Sequence, residues 1–125
     1  MLVDGKKLAA ELQHELALKV KRAKKQPVLA VILVGTDSAS VFYVKKKQEL
    51  ATKLGIGFQL HSFPKNIKQS RLVVEVKKLV AKKELTGCIV QLPLPQALNQ
   101  DEILQLIPEQ LDVDGLSFAF WTRLL

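Results

Sequence analysis

Apolar positions along the chain keep two alternating rhythms. Over residues 4–24, Leu8, Leu12, Leu16 and Val20 recur at helical spacing, which predicts an amphipathic helix. "PVLAVILVG" (27–35) is instead a continuous β-branched run, the pattern of a strand covered on both faces. Gly35-Thr36-Asp37-Ser38 then predicts a turn and cap, opening a second helix that reaches about Leu54 and stops at Gly55. "GFQLHSFP" (57–64) reads as a second strand ended by Pro64. Residues 70–84 bring Leu72, Val73, Val76, Leu79 and Val80 to one face, a third helix, and "CIVQL" follows as a third strand. "NQDEILQLI" (99–107) opens with Asn99 and Glu102 at capping-box spacing and halts at Pro108, a fourth helix. Strands and helices alternating at these lengths predict an α/β fold: a layered helix–sheet–helix domain with a mostly parallel sheet. No internal repeat, low-complexity tract or linker interrupts it.

Composition narrows the setting. At 125 residues the chain is one domain, long enough to bury a core without staples. The single cysteine, Cys88, has no intramolecular disulfide partner, which points to a reducing compartment. No secretory signal is visible, and the longest apolar run falls well short of the ~20 residues of a membrane helix. A soluble, cytoplasmic protein is expected. The net charge of +7 raises the question of nucleic acid, with clusters at "KVKRAKKQ" (19–26) and "KKK" (45–47). The first closes a helix, where cations favour the negative end of the dipole. Neither cluster interleaves aromatics, as a single-strand stacking surface requires. Specific nucleic-acid binding is therefore not expected; attraction for a small polyanion is the milder consequence.

The second helix carries the most informative pattern. At about 100° per residue, Leu50, Tyr43, Leu54, Lys47, Ser40, Ala51 and Val44 fall along one stripe, while Lys45, Lys46, Glu49 and Lys53 lie away from it. Lys47 is thus the one lysine near the middle of the apolar face. Two readings of it stand side by side. Its stem packs and its ammonium snorkels to water, or it faces a cleft. In the second case, a lysine far enough out of water serves as general acid or base near neutrality. That costs roughly 4 kcal/mol and demands a largely dry surrounding. Tyr43, one turn before Lys47, is either a wall for a flat ligand or a core aromatic with its hydroxyl at the surface. Ser40, a turn earlier, either orients Tyr43 or Lys47 or is a spare first-turn hydroxyl.

Gln91 closes the third strand, on the opposite face from Val90 and Leu92. In open α/β sheets the carboxyl end of a strand faces the ligand crevice. Pro93 and Pro95 cannot donate to a ladder, so the chain leaves the sheet as a stiff strap. An amide there can bond a lysine nitrogen without adding charge, whereas a carboxylate would favour the ammonium. The alternative is a glutamine bonded to loop backbone. "LDVDGL" (111–116) supplies two carboxylates but is too short for a calcium loop; one of them, Asp114, could accept paired N–H donors from a heterocycle. His14 and His61 lack partners at metal spacing, so no metal is expected. "GIG" (55–57) opens a strand and lacks a third glycine, which excludes a dinucleotide fingerprint.

These segments resemble a known family. "SVFYVKKKQELATKLGI" is similar to the Tyr-x-x-x-Lys helix of methylenetetrahydrofolate dehydrogenase/methenyltetrahydrofolate cyclohydrolase, and "GCIVQLPLP" to that family's Val-Gln-Leu-Pro-Leu-Pro strap. "PEQLDVDGL" resembles its Pro-Glu-Lys-Asp-Val-Asp-Gly segment, with Leu111 where lysine is usual, and "DGKKLAAEL" has the expected look. The resemblance covers residues 1–116, which it marks as a folate-binding catalytic domain, with 117–125 as the start of the interdomain linker, diverged or truncated. It implies oxidation of 5,10-methylenetetrahydrofolate with NAD(P), then hydrolysis of the methenyl product to 10-formyltetrahydrofolate. Lys47 would be the acid/base lysine, Gln91 its orienting partner, Tyr43 the stacking wall, Asp114 the holder of the pterin edge and Ser40 a support. The family's second, nicotinamide-binding (Rossmann) domain, with its Gly-Arg-Ser loop, has no counterpart in these residues. The 125-residue chain is accordingly expected to bind folate, with at most residual cyclohydrolase activity. Rival expectations are a non-catalytic folate-binding or oligomerisation module, and a basic nucleic-acid binder. Phe120 and Trp121 suggest a homodimer through the tail.

Overall fold

The computed structural model describes residues 5–112. Asp114, the 117–125 linker and the pairing residues Phe120 and Trp121 lie outside the described residues, as do the side chains of Leu8, Leu12 and Leu16. The chain runs α1 (Gly5–Arg22), β1 (Val28–Val34), α2 (Ser38–Leu54), β2 (Gly57–Phe63), α3 (Gln69–Val80), β3 (Gly87–Val90) and α4 (Gln100–Gln105), then a 3₁₀ turn at Glu109–Leu111.

All three strands are parallel, in the order β2-β1-β3. Central β1 explains its unbroken apolar run, because both its faces are covered. Val31 and Leu33 pack with Val44 of α2 and Ile89 of β3 on one side. Ala30, Ile32 and Val34 pack with Leu72 and Val76 of α3, Cys88, Val90 and Ile103 of α4 on the other. Leu111, standing where lysine is usual in the family it resembles, is buried in this second cluster.

The strand order places the site. The connection through α2 leaves β1 toward one side and the connection through α3 returns to its other side. The carboxyl ends of β1 and β3 therefore diverge at a topological switch point, where such sheets hold ligands. Gly35 makes the exit from β1 with φ 87°, a conformation that costs a residue bearing a Cβ. Asp37 then caps α2, its carboxylate accepting the Ser40 N–H at 3.0 Å. Gly55, at φ 79°, ends the helix by donating its N–H to the free carbonyls of Ala51 and Thr52.

Three elements differ from the sequence reading. α3 stops at Val80 rather than near residue 84. Its buried stripe is Leu72, Val76 and Leu79, and one more turn would carry Lys83 into the core; the chain bends instead and buries Leu85. β3 spans only Gly87–Val90, although the Gln91 N–H still reaches the Ile32 carbonyl at 2.9 Å. Beyond it, Pro93 and Pro95 have no N–H to offer a ladder. At α4, Asn99 caps the Glu102 N–H at 3.1 Å, but the Asn99 N–H goes to Gln69 Oε1 at 3.0 Å, so the reciprocal half of a capping box is supplied by another helix. Among the described residues no helix is long and apolar enough to cross a membrane, and no group of three or more metal-ligating side chains converges.

Candidate functional site

The buried side of α2 is built from Ser40, Val44, Ala51 and Leu54. Lys47 sits three residues after Val44 and four before Ala51, so helical geometry aims it at the sheet. It is half-buried, whereas Lys45, Lys46 and Lys53 are exposed. Gln91 arrives from the other direction. Ile89 lies on the α2 face of β3, and two residues on, Gln91 points the same way.

The two side chains meet. Lys47 Nζ donates to Gln91 Oε1 at 2.9 Å. Gln91 is only 8% exposed, and its other end is engaged too, Nε2 donating to the Leu92 carbonyl at 3.1 Å. That second bond fixes which way the amide points: with Nε2 committed to Leu92, the oxygen must face the lysine. A buried amide left unpaired would cost roughly 1–3 kcal/mol; both ends here are paired, one by a stronger charge-assisted bond. The snorkelling alternative for Lys47 and the loop-backbone alternative for Gln91 thus each hold in part. The lysine keeps a side open to water, and one end of the amide does bond backbone. The enclosed, dry surrounding considered from sequence is not built by the described residues alone.

Tyr43 is 54% exposed, so it is not a core aromatic. Its ring stands 6.0 Å from Lys47 Nζ, at the outer limit of a cation–π contact, and meets Phe42 edge-on at 5.7 Å between centroids. Ser40 is buried, and its Oγ bonds neither Tyr43 nor Lys47; it has no partner among the described residues. Its backbone N–H is what the Asp37 cap uses.

The strap after Gln91 is held from the α4 side. Gln100 Oε1 accepts the Leu94 N–H at 3.3 Å, and Gln69 of α3 bonds both the N–H and the carbonyl of Asn99, at 3.0 and 3.2 Å. Sequence reasoning passed over Gln69 and Gln100. The signal available was the strap itself, since Pro93-Leu94-Pro95 carries a single N–H, which in a buried setting needs an acceptor. A groove of about 610 Å³ adjoins the strap, walled by Gly35, Asp37, Lys65 and Pro93 among others, and none of Ser40, Tyr43, Lys47 or Gln91 lines it.

Two other titratable groups fall outside this arrangement. Burial pushes the Cys88 thiol up to about 11, which makes it a poor nucleophile. His61, on β2, bonds Gln59 at 3.1 Å, and burial, then the nearby Lys82 ammonium, lower its pKa.

A parallel α/β domain with a lysine–carboxamide pair beyond the carboxyl end of its third strand, beside an outward aromatic, belongs to the class of open α/β sheets that hold small ligands at a switch point. Residues 3–114 match the family model for the tetrahydrofolate dehydrogenase/cyclohydrolase catalytic domain, and the chain belongs to that family. It is 40% identical over 119 residues to the bifunctional protein FolD of Latilactobacillus sakei, covering 93% of this chain and 42% of that one. The bifunctional methylenetetrahydrofolate dehydrogenase/cyclohydrolase of Campylobacter jejuni superposes with a TM-score of 0.87 at 36% identity, over 99% of this chain and 45% of that one. The Trypanosoma brucei enzyme, complexed with NADP cofactor and inhibitor, superposes with a TM-score of 0.82 at 30% identity, over 95% and 42%. The chain spans about two-fifths of the length of the curated relatives it matches.

Proposed function

We propose that residues 1–116 form the folate-binding half of a methylenetetrahydrofolate dehydrogenase/methenyltetrahydrofolate cyclohydrolase, continued toward a linker at 117–125, and that these residues alone bind folate with at most residual activity in the hydrolytic step. The observation that carries this reading is the 2.9 Å bond from Lys47 to Gln91. In it, a neutral acceptor holds the lysine nitrogen in place without adding a charge to the site, as a carboxylate would.

The hydrolysis needs one group that moves protons. Water adds to the carbon bridging N5 and N10 of methenyltetrahydrofolate, and Lys47 Nζ takes the proton that the water gives up. The C–N5 bond of the resulting carbinolamine breaks as its hydroxyl gives up its proton to solvent and becomes the formyl C=O, the same lysine nitrogen returns its proton to N5, and the formyl group remains on N10. Substrate cation and water thus become 10-formyltetrahydrofolate and one proton. Gln91 acts by keeping Nζ in register through both transfers. Tyr43 presents its exposed face to the pteridine, and the stacked ring covers the side of Lys47 that is open to water. Asp114 accepts the N–H pair of the pterin edge, and Ser40 Oγ offers a hydroxyl beside the cap. Cytoplasmic residence fits the free, buried Cys88.

The dehydrogenase half of such an enzyme draws on NAD(P). Dinucleotide phosphates need a glycine-rich loop opening a helix. Among the described residues Gly55-Ile56-Gly57 instead leads into β2, so these residues do not fit the cofactor and no hydride step is derived from them. The test is the ultraviolet absorbance of methenyltetrahydrofolate incubated with this chain. Faster loss with the native chain than with Lys47→Ala is expected, and equal rates would defeat the proposal.

A further inference from the structure

We propose that Gln100 is a positioning residue that sets the Gln91 carboxamide against Lys47 by holding the strap between them and α4. Pro93-Leu94-Pro95 can be fixed through one backbone donor only, the Leu94 N–H, and Gln100 Oε1 takes it at 3.3 Å. Leu94 is 6% exposed, so no water competes freely for that donor. Gln100 is in turn fixed by its neighbour. Gln69 clamps Asn99 through both backbone groups, which ties the start of α4 to the start of α3. A path of hydrogen bonds joined by short backbone links therefore runs from α3 through Asn99 and Gln100 to Leu94, back along the strap to Leu92 and Gln91, and across the Lys47 bond to α2. Gln91 has no side-chain tether of its own to α3 or α4; its Nε2 bonds the adjacent Leu92 carbonyl. Where that carbonyl points depends on the path of the strap, and Gln100 anchors the strap two residues further along. What matters at position 100 is an acceptor at the right reach, not bulk or charge.

This inference rests on reading Lys47 and Gln91 as a working pair, but its test needs no turnover, so a chain that fails to hydrolyse substrate can still pass it. The measurement is solvent exchange of the Gln91 side-chain N–H hydrogens by NMR on the intact, isotope-labelled chain. Gln100→Met keeps length and removes the acceptor. It is expected to speed Gln91 exchange at least about tenfold while the Val31 and Ile32 backbone amides stay within about twofold, a loosening confined to the strap. Gln100→Glu keeps an acceptor and is expected to stay within about threefold of the native rate. Unchanged Gln91 exchange in Gln100→Met overturns the proposal, as does an equal rise at Val31 and Ile32, or a Glu chain that behaves like the Met chain. Should the Met chain not fold, Gln69→Ala supplies the decision: at least about a threefold rise at Gln91 is expected, and no rise overturns the proposal.

Discussion

Replacing Lys47 by methionine strands the Gln91 oxygen in a site where the glutamine is only 8% exposed. An unpaired acceptor at that depth costs about 1–2 kcal/mol. Replacing Gln91 by leucine is gentler. It leaves an ammonium without its 2.9 Å acceptor, but Lys47 is half-buried and can turn that donor to water, so about 0.5–1 kcal/mol is expected. Making both changes removes donor and acceptor together and puts apolar atoms where the pair was, which is close to neutral. The double-mutant cycle should therefore show a coupling of about 1.5–3 kcal/mol, the double mutant being more stable than the two singles imply. For a chain of this length each kcal/mol moves the midpoint of thermal unfolding by about 4 °C. Melting curves of the four proteins resolve the cycle without any substrate. Additive effects, with a coupling below about 0.3 kcal/mol, would mean that the contact contributes nothing, and the catalytic reading built on it would fall with it.

Tyr43→Ala should leave the melting temperature almost unchanged, because the ring is 54% exposed, yet weaken folate binding by about tenfold through loss of stacking. Calorimetric titration checks this, and a large loss of stability would return Tyr43 to the core. Cys88 predicts a pH effect of definite sign. Its thiol is raised to about 11 in the fold, so above its ordinary value the unfolded chain loses the proton first and stability falls as pH rises from about 9 toward 11. The loss is on the order of 2 kcal/mol over that window. Denaturation at pH 8 and pH 10 should show a decline that Cys88→Ala lacks, and identical declines in both chains would refute it.

The parts of the fold that follow from periodicity were legible because one face or both faces of an element meet the core. β1 reads as doubly covered and is; α2 begins and ends at the residues that Asp37 and Gly55 mark. The end of α3 was not, since the stop at Thr86-Gly87 was visible while the need to keep Lys83 out of the core depends on where Leu85 is buried. The meeting of Lys47 and Gln91 could be suspected from sequence, each being a polar residue on an apolar face. Their distance required the β1–β3 alignment. Tyr43 shows the limit of helical stripes: it shares an arc with Leu54 but lies at the margin, and only the packed neighbours decide that it faces outward. Gln69 and Gln100 were missed because a single amide at the start of a helix carries no periodic signal, and their partners are backbone groups, 30 residues away for Gln69 and six for Gln100.

Lys47 and Gln91 are 44 residues apart, one placed by a helix completed early in the chain and the other by the third strand. A nascent chain that has made β1, α2 and β2 possesses the amine but nothing for it to grip. Only when β3 threads in on the far side of β1 does the amide arrive. The pair thus doubles as a molecular proof of assembly, giving a signal of the correct strand order that a half-finished or misthreaded chain has no means to counterfeit.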